Sequence, residues 1–435
     1  MRHHIFLSFC TFLTWFSNQA AEFGRLNCTA EDAFKIAHRF RKSGRYDDGS
    51  RCPRETWLEA MASIDDVPTK LFINIGFNKG YNFAVWANVF APWTGYLLWS
   101  FSHVSLPLSP NSDNILKIGI DSMKWFKAID KTGTYSDWKE ACGKCRDCWA
   151  NFNRSKWSFS EEESHIVMLG LDLNEHNVQL VHDVQKNIIE GNKGAVNFSK
   201  LNLTLIHAGA SDQNGEIKLK SCSIGDELCS LDLILNETSL SNNEFGRFKH
   251  VPLFTVEKLV TDLDKADGLT AGGNIVDILM IDAEGFDPLI LKGSKELFRQ
   301  GRVRCVIFEY HGIGPWLNHL LKDVLFEFEN FEMDCYFQGN GRLWPLTGCW
   351  DVAYEFHWWS NVMCLKRDDP YHVSIGDFIV RPETQDISHE KKIASVIHRL
   401  KELGYHQKDI KVLREKNKLH DIHTAVHFLQ YLNVH

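Results

Sequence analysis

The chain lacks any dense run of lysine or arginine, and its 48 basic residues are outnumbered by 56 acidic ones, for a net charge of −8. A nucleic-acid partner would need a basic face for its phosphates, so this balance argues against one. Beyond the first sixteen residues no segment is both long enough to cross a bilayer and free of charge, which argues against a stable membrane span. The Gly-x-Gly-x-x-Gly fingerprint of dinucleotide folds is missing, which disfavours a nicotinamide-dependent oxidoreductase. No repeat of solenoid period occurs. Metal signatures are incomplete as well. Cys142, Cys145 and Cys148 have zinc-like spacing without a nearby fourth ligand, and His420, His423 and His427 lack a His-Glu-x-x-His pattern. No metal site is read from either cluster, and disulfides are the favoured use of the three cysteines.

What is present points to a globular chain. With 44% hydrophobic and 24% charged residues over 435 positions, it can bury one large core with an appendage, or two domains. Residues 1–21 read as a signal peptide: Arg2-His3-His4, an apolar run from Ile5 to Phe16, then Ser17-Asn18-Gln19-Ala20-Ala21. Twelve residues span ~18 Å as a helix, short of a hydrocarbon core of about 30 Å. A short signal-anchor and a buried helix are the alternatives. Sequons at Asn27, Asn153, Asn197, Asn202 and Asn236 agree with passage through the secretory pathway. Twelve cysteines also suit a compartment where disulfides persist; eleven remain once Cys10 leaves with the leader, so at least one thiol is free. Cys305 and Cys364 sit in strand-like runs and read as small core residues, while a Cys28–Cys52 bridge is the plausible pairing near the N-terminus.

Periodicity divides the rest. Residues 22–69 read as a helical cap beside a sheet. From Lys70, strands are expected at Leu71–Ile75, His165–Leu171, Leu203–Ala208, Ile275–Ile281, Val303–Phe308, Met333–Phe337 and Asn361–Leu365, alternating with helix-like stretches. That alternation predicts an α/β fold with a doubly wound, mainly parallel, seven-stranded sheet, Rossmann-like, over residues 70–366. The cysteine-rich segment at about 95–160 is too long for a compact connection and reads as an insertion. Residues 367–435 read as a helical tail, with Ile393, Val396, Ile397, Leu400 and Leu403 at helical spacing.

Several polar residues fall at expected strand ends. The loop Asn74-Ile75-Gly76-Phe77-Asn78-Lys79-Gly80-Tyr81 follows the first strand, where glycines let backbone approach a ligand, or simply make an ordinary turn. Asp172 ends the second strand and also suits capping of a helix beginning near Glu175. Ser211 and Asp212 lie in a turn-rich loop after the third. Asp282 and Glu284, two apart, follow Ile275–Ile281 in I-D-A-E-G-F-D-P-L-I-L-K-G. Closely spaced carboxylates raise one another's pKa and suit proton abstraction. Glu309 closes another strand at the same edge, and His311 follows it as a further candidate base, or in a structural role. Trp344, Trp350, Trp358 and Trp359 read first as core, and second as a sugar-stacking platform.

The Asp282 block, together with F-I-N-I-G-F-N-K-G-Y upstream, resembles the FkbM-type S-adenosylmethionine-dependent methyltransferases. The resemblance implies a methyltransferase sheet whose last strand, Asn361–Leu365, runs antiparallel. It also implies S-adenosylmethionine as cofactor and transfer of its methyl group to a hydroxyl on a glycan, lipid or small molecule. On that reading Asn74, Gly76, Asn78 and Gly80 hold the cofactor, Asp172 accepts its ribose hydroxyls, and Ser211 and Asp212 lie near adenine. Asp282, Glu284 or His311 then faces the acceptor. Asn74 and Phe77 depart from the family pattern of an acid and a small residue. A second reading is therefore a catalytically inactive extracellular binding protein on the same fold.

Overall fold

The structure, a computed structural model, describes residues 26–43, 56–62, 69–78, 165–191, 201–220, 248–266, 273–339 and 341–382, with a few isolated positions between and beyond them. The leader, the cysteine-rich insertion and the expected tail helix lie outside the described residues, as do Cys52 and the histidines of the tail.

Strands that are apolar along their whole length belong in a parallel sheet covered on both faces. β1 (Thr69–Ile75), β7 (Val276–Ile281) and β8 (Val303–Tyr310) fit this, being buried at nearly every position. The main sheet has the order β10-β9-β11-β8-β7-β1-β2-β3, completed by β2 (His165–Asp172), β3 (Leu201–His207), β9 (Met333–Gly339), β10 (Arg342–Pro345) and β11 (Ser360–Lys366). β3, β2, β1, β7 and β8 pair in parallel; β11 runs antiparallel to both β8 and β9. The sheet therefore has eight strands rather than seven. The extra one, β10, is a four-residue hairpin return on β9, too short and too rich in local turn to announce itself by alternation. A small second sheet was also not expected: β4 (Gly209–Ala210) and β5 (Gly215–Lys220) flank β6 (Phe248–Phe254).

Successive strand residues face opposite sides, so each strand feeds two cores. On one side Ile73, Leu279, Phe308 and Val362 meet Phe40 of α1 (Ala30–Ser43), Val260 of α4 (Val256–Ala266), Phe298 of α6 (Lys295–Arg299) and Phe328 of α7 (Leu321–Asn330). On the other, Phe72, Ile278, Ile307 and Met363 meet Trp57 and Met61 of α2 (Thr56–Ala62), Val181 of α3 (Glu175–Gly191) and Tyr371 of α8 (Pro370–Ser374). α1 begins at a capping turn, where Thr29 Oγ1 accepts the Asp32 N–H at 3.1 Å and donates to the Asp32 carboxylate at 2.8 Å. Its Phe40 then stacks on Phe337 at 4.9 Å.

Two cysteine expectations are corrected. Cys28 bonds to Cys349, tying the start of α1 to the loop after β10 across 321 residues of sequence, so a Cys28–Cys52 bridge does not form. Cys364 is not a free core residue but bridges Cys335; the two sit directly opposite on β11 and β9 with their Cα atoms 4.0 Å apart. Such cross-strand neighbours are close enough to bond when both are cysteine. Cys305 is the buried free thiol.

At the N-terminal edge of the sheet the buried charges are matched. Asp277 accepts the Leu71 N–H at 2.8 Å, Arg304 at 3.0 Å and the Tyr371 hydroxyl at 3.1 Å, while Arg304 also binds Asp369 at 2.9 Å and lies 3.7 Å from the Tyr371 ring. The carboxyl-terminal edge, where ligands bind in open α/β sheets, is arranged differently.

Candidate functional site

β1, β2 and β7 end side by side, and backbone hydrogen bonds continue past their last residues. Gly76 N–H donates to the Leu171 carbonyl at 2.8 Å, and Asp282 N–H donates to the Ile75 carbonyl at 3.0 Å. Gly76 has φ +74°, and a Cβ there would fall 1.9 Å from the Asp282 carbonyl oxygen. Only glycine satisfies both constraints, which brings the first loop and the Asp282 block into contact.

The loop then turns toward β2. Asn78, at φ +48°, donates its N–H to Asp172 Oδ2 at 2.8 Å, and Gly80 closes the turn by donating to the Phe77 carbonyl at 2.7 Å. Asp172 Oδ1 accepts the Asn174 N–H at 2.8 Å and the Asn177 amide at 3.4 Å. Burial raises the Asp172 carboxyl to about 6 despite these donors. Asn177 also reaches Oδ2 at 3.5 Å, so each oxygen accepts two bonds, and the long Asn177 contacts are the ones a further hydroxyl would displace. The helix-cap alternative for Asp172 is met by its neighbour instead: Asn174 Oδ1 accepts the His176 N–H at 3.1 Å. Phe77 turns under the loop into the core, packing with Phe83 against Gly170. Asn74 is fully buried between Gly170 and Met280 of the adjoining strands, and neither its amide oxygen nor its nitrogen has a hydrogen-bond partner.

Ser211 and Asp212 lie beyond β3, whose end is bonded to Asp172 through the Ala208 N–H and the Asp172 carbonyl at 3.1 Å. Asp212 pairs with Lys292 at 2.7 Å, and this partner holds its carboxyl below the ordinary range. A Cβ on Gly293 would sit 2.2 Å from the Ser211 carbonyl oxygen. The Lys292-Gly293 pair that ends the motif thus clamps the Ser211–Asp212 loop, a role the sequence had left without explanation.

The second group gathers on β7, β8 and the loop between β7 and α5 (Asp287–Lys292). Asp282 and Glu284 are half-buried, with Glu284 at φ +48°. Asp287, which sequence reasoning did not single out, is fully buried; its oxygens accept the Glu309 N–H at 3.0 Å and the Gly285 N–H at 3.3 Å. Burial, then the charge on Asp282, push its carboxyl up to about 8. Glu309 is raised well above the usual range by burial and by Asp282, Glu284 and Asp287. Among the described residues no lysine or arginine pairs with Asp287 or Glu309.

His311 is 0% exposed and stacks on Trp359 at 4.9 Å. Its Nε2 lies 3.5 Å from Glu309 Oε2, and neither ring nitrogen has a hydrogen-bond partner. Burial lowers its pKa to about 4, so the ring is neutral near pH 7. Asn361, directly opposite Glu309 on antiparallel β11 and therefore on the same face, is likewise buried with both amide atoms unpartnered. Sequence reasoning named Glu309 as a strand end but left Asn361 in a strand. Only the reversed direction of β11 brings Asn361 to this edge. Trp344 is in the core, whereas Trp358 and Trp359 are 49% and 42% exposed, so the core reading fails for those two.

Residues 147–333 match the family model described as Methyltransferase FkbM domain. The resemblance read from the sequence is borne out over that segment, which holds Asp172, Ser211, Asp212, Asp282, Glu284, Glu309 and His311; β1 and its glycine loop precede it. No curated protein and no solved structure matches the chain.

Proposed function

We propose, from the premise that residues 147–333 form an FkbM-type methyltransferase domain, that the protein transfers a methyl group from S-adenosylmethionine to a hydroxyl oxygen. One observation carries this reading: the contact of Gly76 with the Asp282 carbonyl, which sets a loop of cofactor-binding type beside a cluster suited to an acceptor. The residues present fit the cofactor. Asp172 offers a buried carboxylate whose long Asn177 contacts can yield to a ribose diol, and Asn74 offers an orphaned amide at the first strand's end. Bound there, S-adenosylmethionine supplies an electrophilic methyl on a sulfonium. Gly76, Asn78 and Gly80 shape the loop that holds it, and Ser211 and Asp212 form the neighbouring wall where adenine would lie.

The acceptor hydroxyl faces Asp282, Glu284 and His311. The half-buried Asp282 and Glu284 carboxylates and the neutral His311 imidazole are the groups available to receive its proton. Most of the rate comes from alignment of the acceptor oxygen with the methyl carbon. The exposed Trp359 beside His311 gives an apolar platform for a glycan or similar acceptor. The leader-like N-terminus, the sequons and the disulfides Cys28–Cys349 and Cys335–Cys364 support a secretory-pathway location. Among the described residues no helix is long and apolar enough to cross a membrane.

Calorimetric titration with S-adenosylmethionine tests the cofactor, and labelled methyl transfer to glycan and lipid extracts tests the reaction. No binding heat in the wild type, or unchanged binding in Asp172→Ala, rejects the proposal. The second reading, an inactive binding protein, is favoured by Asn74, which removes the charge that would face the cofactor's ammonium. Cofactor binding without transfer to any extract selects it.

A further inference from the structure

We propose that Glu284, Glu309 and His311 form a binding site for a first-row divalent metal ion at the carboxyl-terminal edge of the sheet. One ligand atom from each of the three lies within 4.8 Å of the other two, and His311 Nε2 and Glu309 Oε2 stand 3.5 Å apart. Imidazole and carboxylate atoms bind such ions at about 2.0–2.2 Å, so two ligands on one ion are roughly 3–3.5 Å apart. The histidine–glutamate pair already has that spacing.

An acidic cluster alone would carry little, but here buried polar atoms point into it without partners. His311 is 0% exposed with both ring nitrogens unbonded, and Glu309 Oε2 is buried and unbonded at 4% exposure of its residue. A polar atom left unpaired away from water is destabilising, and native structures rarely retain several together without a missing ligand. Asn361, opposite Glu309, adds two more unpartnered atoms on the same face. Glu284 is held with its backbone in the left-handed region, a conformation non-glycine residues adopt at a cost and mostly at functional sites.

The donor set selects the class of ion. One imidazole with two carboxylates is poorer in oxygen than calcium or magnesium sites, and suits Mn²⁺, Fe²⁺ or Zn²⁺. Three protein ligands leave coordination positions open for water or substrate oxygen. The use of the ion, which rests on the transferase reading, is to draw an acceptor hydroxyl to Glu284 and lower its pKa.

The full chain, freed of metal by chelation and without cofactor, is titrated with Mn²⁺ and followed by electron paramagnetic resonance, with Zn²⁺ as competitor. One site per chain is expected. Loss of a partner outside the coordination sphere already weakens binding by about 10–100-fold, so His311→Gln and Glu309→Gln should each lose at least about 100-fold. Glu284→Gln, at a half-buried position, supplies a variant whose fold does not depend on core packing, and Glu296→Gln, which pairs with Arg299 on the outer side of α6, serves as control. Circular dichroism identifies any variant that fails to fold. Failure of the wild type to bind either ion, or unchanged binding in a folded Glu284→Gln, overturns the site. Because no cofactor is added, a protein that binds Mn²⁺ but not S-adenosylmethionine retains this site while losing the transferase reading.

Discussion

The pH dependence of cofactor binding follows from Asp172. Its carboxyl is raised to about 6 chiefly because burial disfavours the charge, with the Asn174, Asn78 and Asn177 donors opposing that shift. A ribose diol donates two hydrogen bonds and needs the ionised carboxylate. When only a fraction of the protein is competent, the apparent Kd rises in inverse proportion to that fraction. With a pKa of about 6, roughly nine-tenths of Asp172 is ionised at pH 7 and one-tenth at pH 5, so affinity should fall about tenfold between them. S-adenosylhomocysteine in calorimetry avoids turnover, and its amino-acid carboxyl and ammonium titrate outside this interval, one below it and one above. Asp172→Asn keeps the shape but removes the titration, and should bind weakly with no step. Equal wild-type affinity at pH 5 and pH 7, or the same step in Asp172→Asn, refutes the argument.

The same residue predicts a stability slope of definite sign. Its folded pKa lies above the unfolded value of 3.8, so the folded state binds the proton more tightly. The stabilisation is fully present below 3.8 and is lost as pH rises toward 6, about 3 kcal/mol in all. Asp287 and Glu309 are raised as well and act in the same direction. The difference between wild-type and Asp172→Asn denaturation curves across pH 4–6.5 isolates the contribution of Asp172.

Three further outcomes are expected. Gly76→Ala places a Cβ 1.9 Å from a backbone oxygen at φ +74°, so it should cost more than about 2 kcal/mol in urea denaturation and abolish cofactor binding. Replacing Cys28 and Cys349 together by alanine releases a closed loop of 321 residues and should lower stability by about 5–6 kcal/mol on the loop-closure relation, read from the guanidinium midpoint of the oxidised protein. Arg304→Ala removes a cation bonded to buried Asp277 and leaves Lys70 to face it; a loss of up to about 3–5 kcal/mol is expected by thermal and denaturant melting, while a loss within 1 kcal/mol would show that this network is not the clamp described.

Seven strands were legible in the chain because strands buried on both faces are predominantly apolar, and V-D-I-L-M-I and V-R-C-V-I-F-E-Y keep that character apart from Asp277, Arg304 and Glu309 near their ends. β10, β4, β5 and β6 were not, because strands of an edge hairpin or of a small second sheet are defined by their partners rather than by their own pattern. Disulfide pairing failed for a related reason: proximity in sequence favoured Cys52 for Cys28, while α1 docks beside β10 and brings Cys349 within bonding reach. His311 was read with an ordinary pKa, but its place behind Trp359 removes the water that would stabilise its charge.

What no local pattern conveys is the contrast between the two edges of the sheet. At one edge a buried acid, Asp277, meets Arg304 and several donors, so its charge is compensated within the fold. At the other, Asp287 and Glu309 are buried beside further carboxylates with no lysine or arginine of the described residues paired to them, and His311, Asn74 and Asn361 are left unpartnered. Among the described residues Trp57 Nε1 and Arg367 Nη2 are also unpartnered, but unsatisfied polarity is concentrated at the strand ends where α/β folds bind ligands, which supports a site shaped for groups that folding alone does not supply.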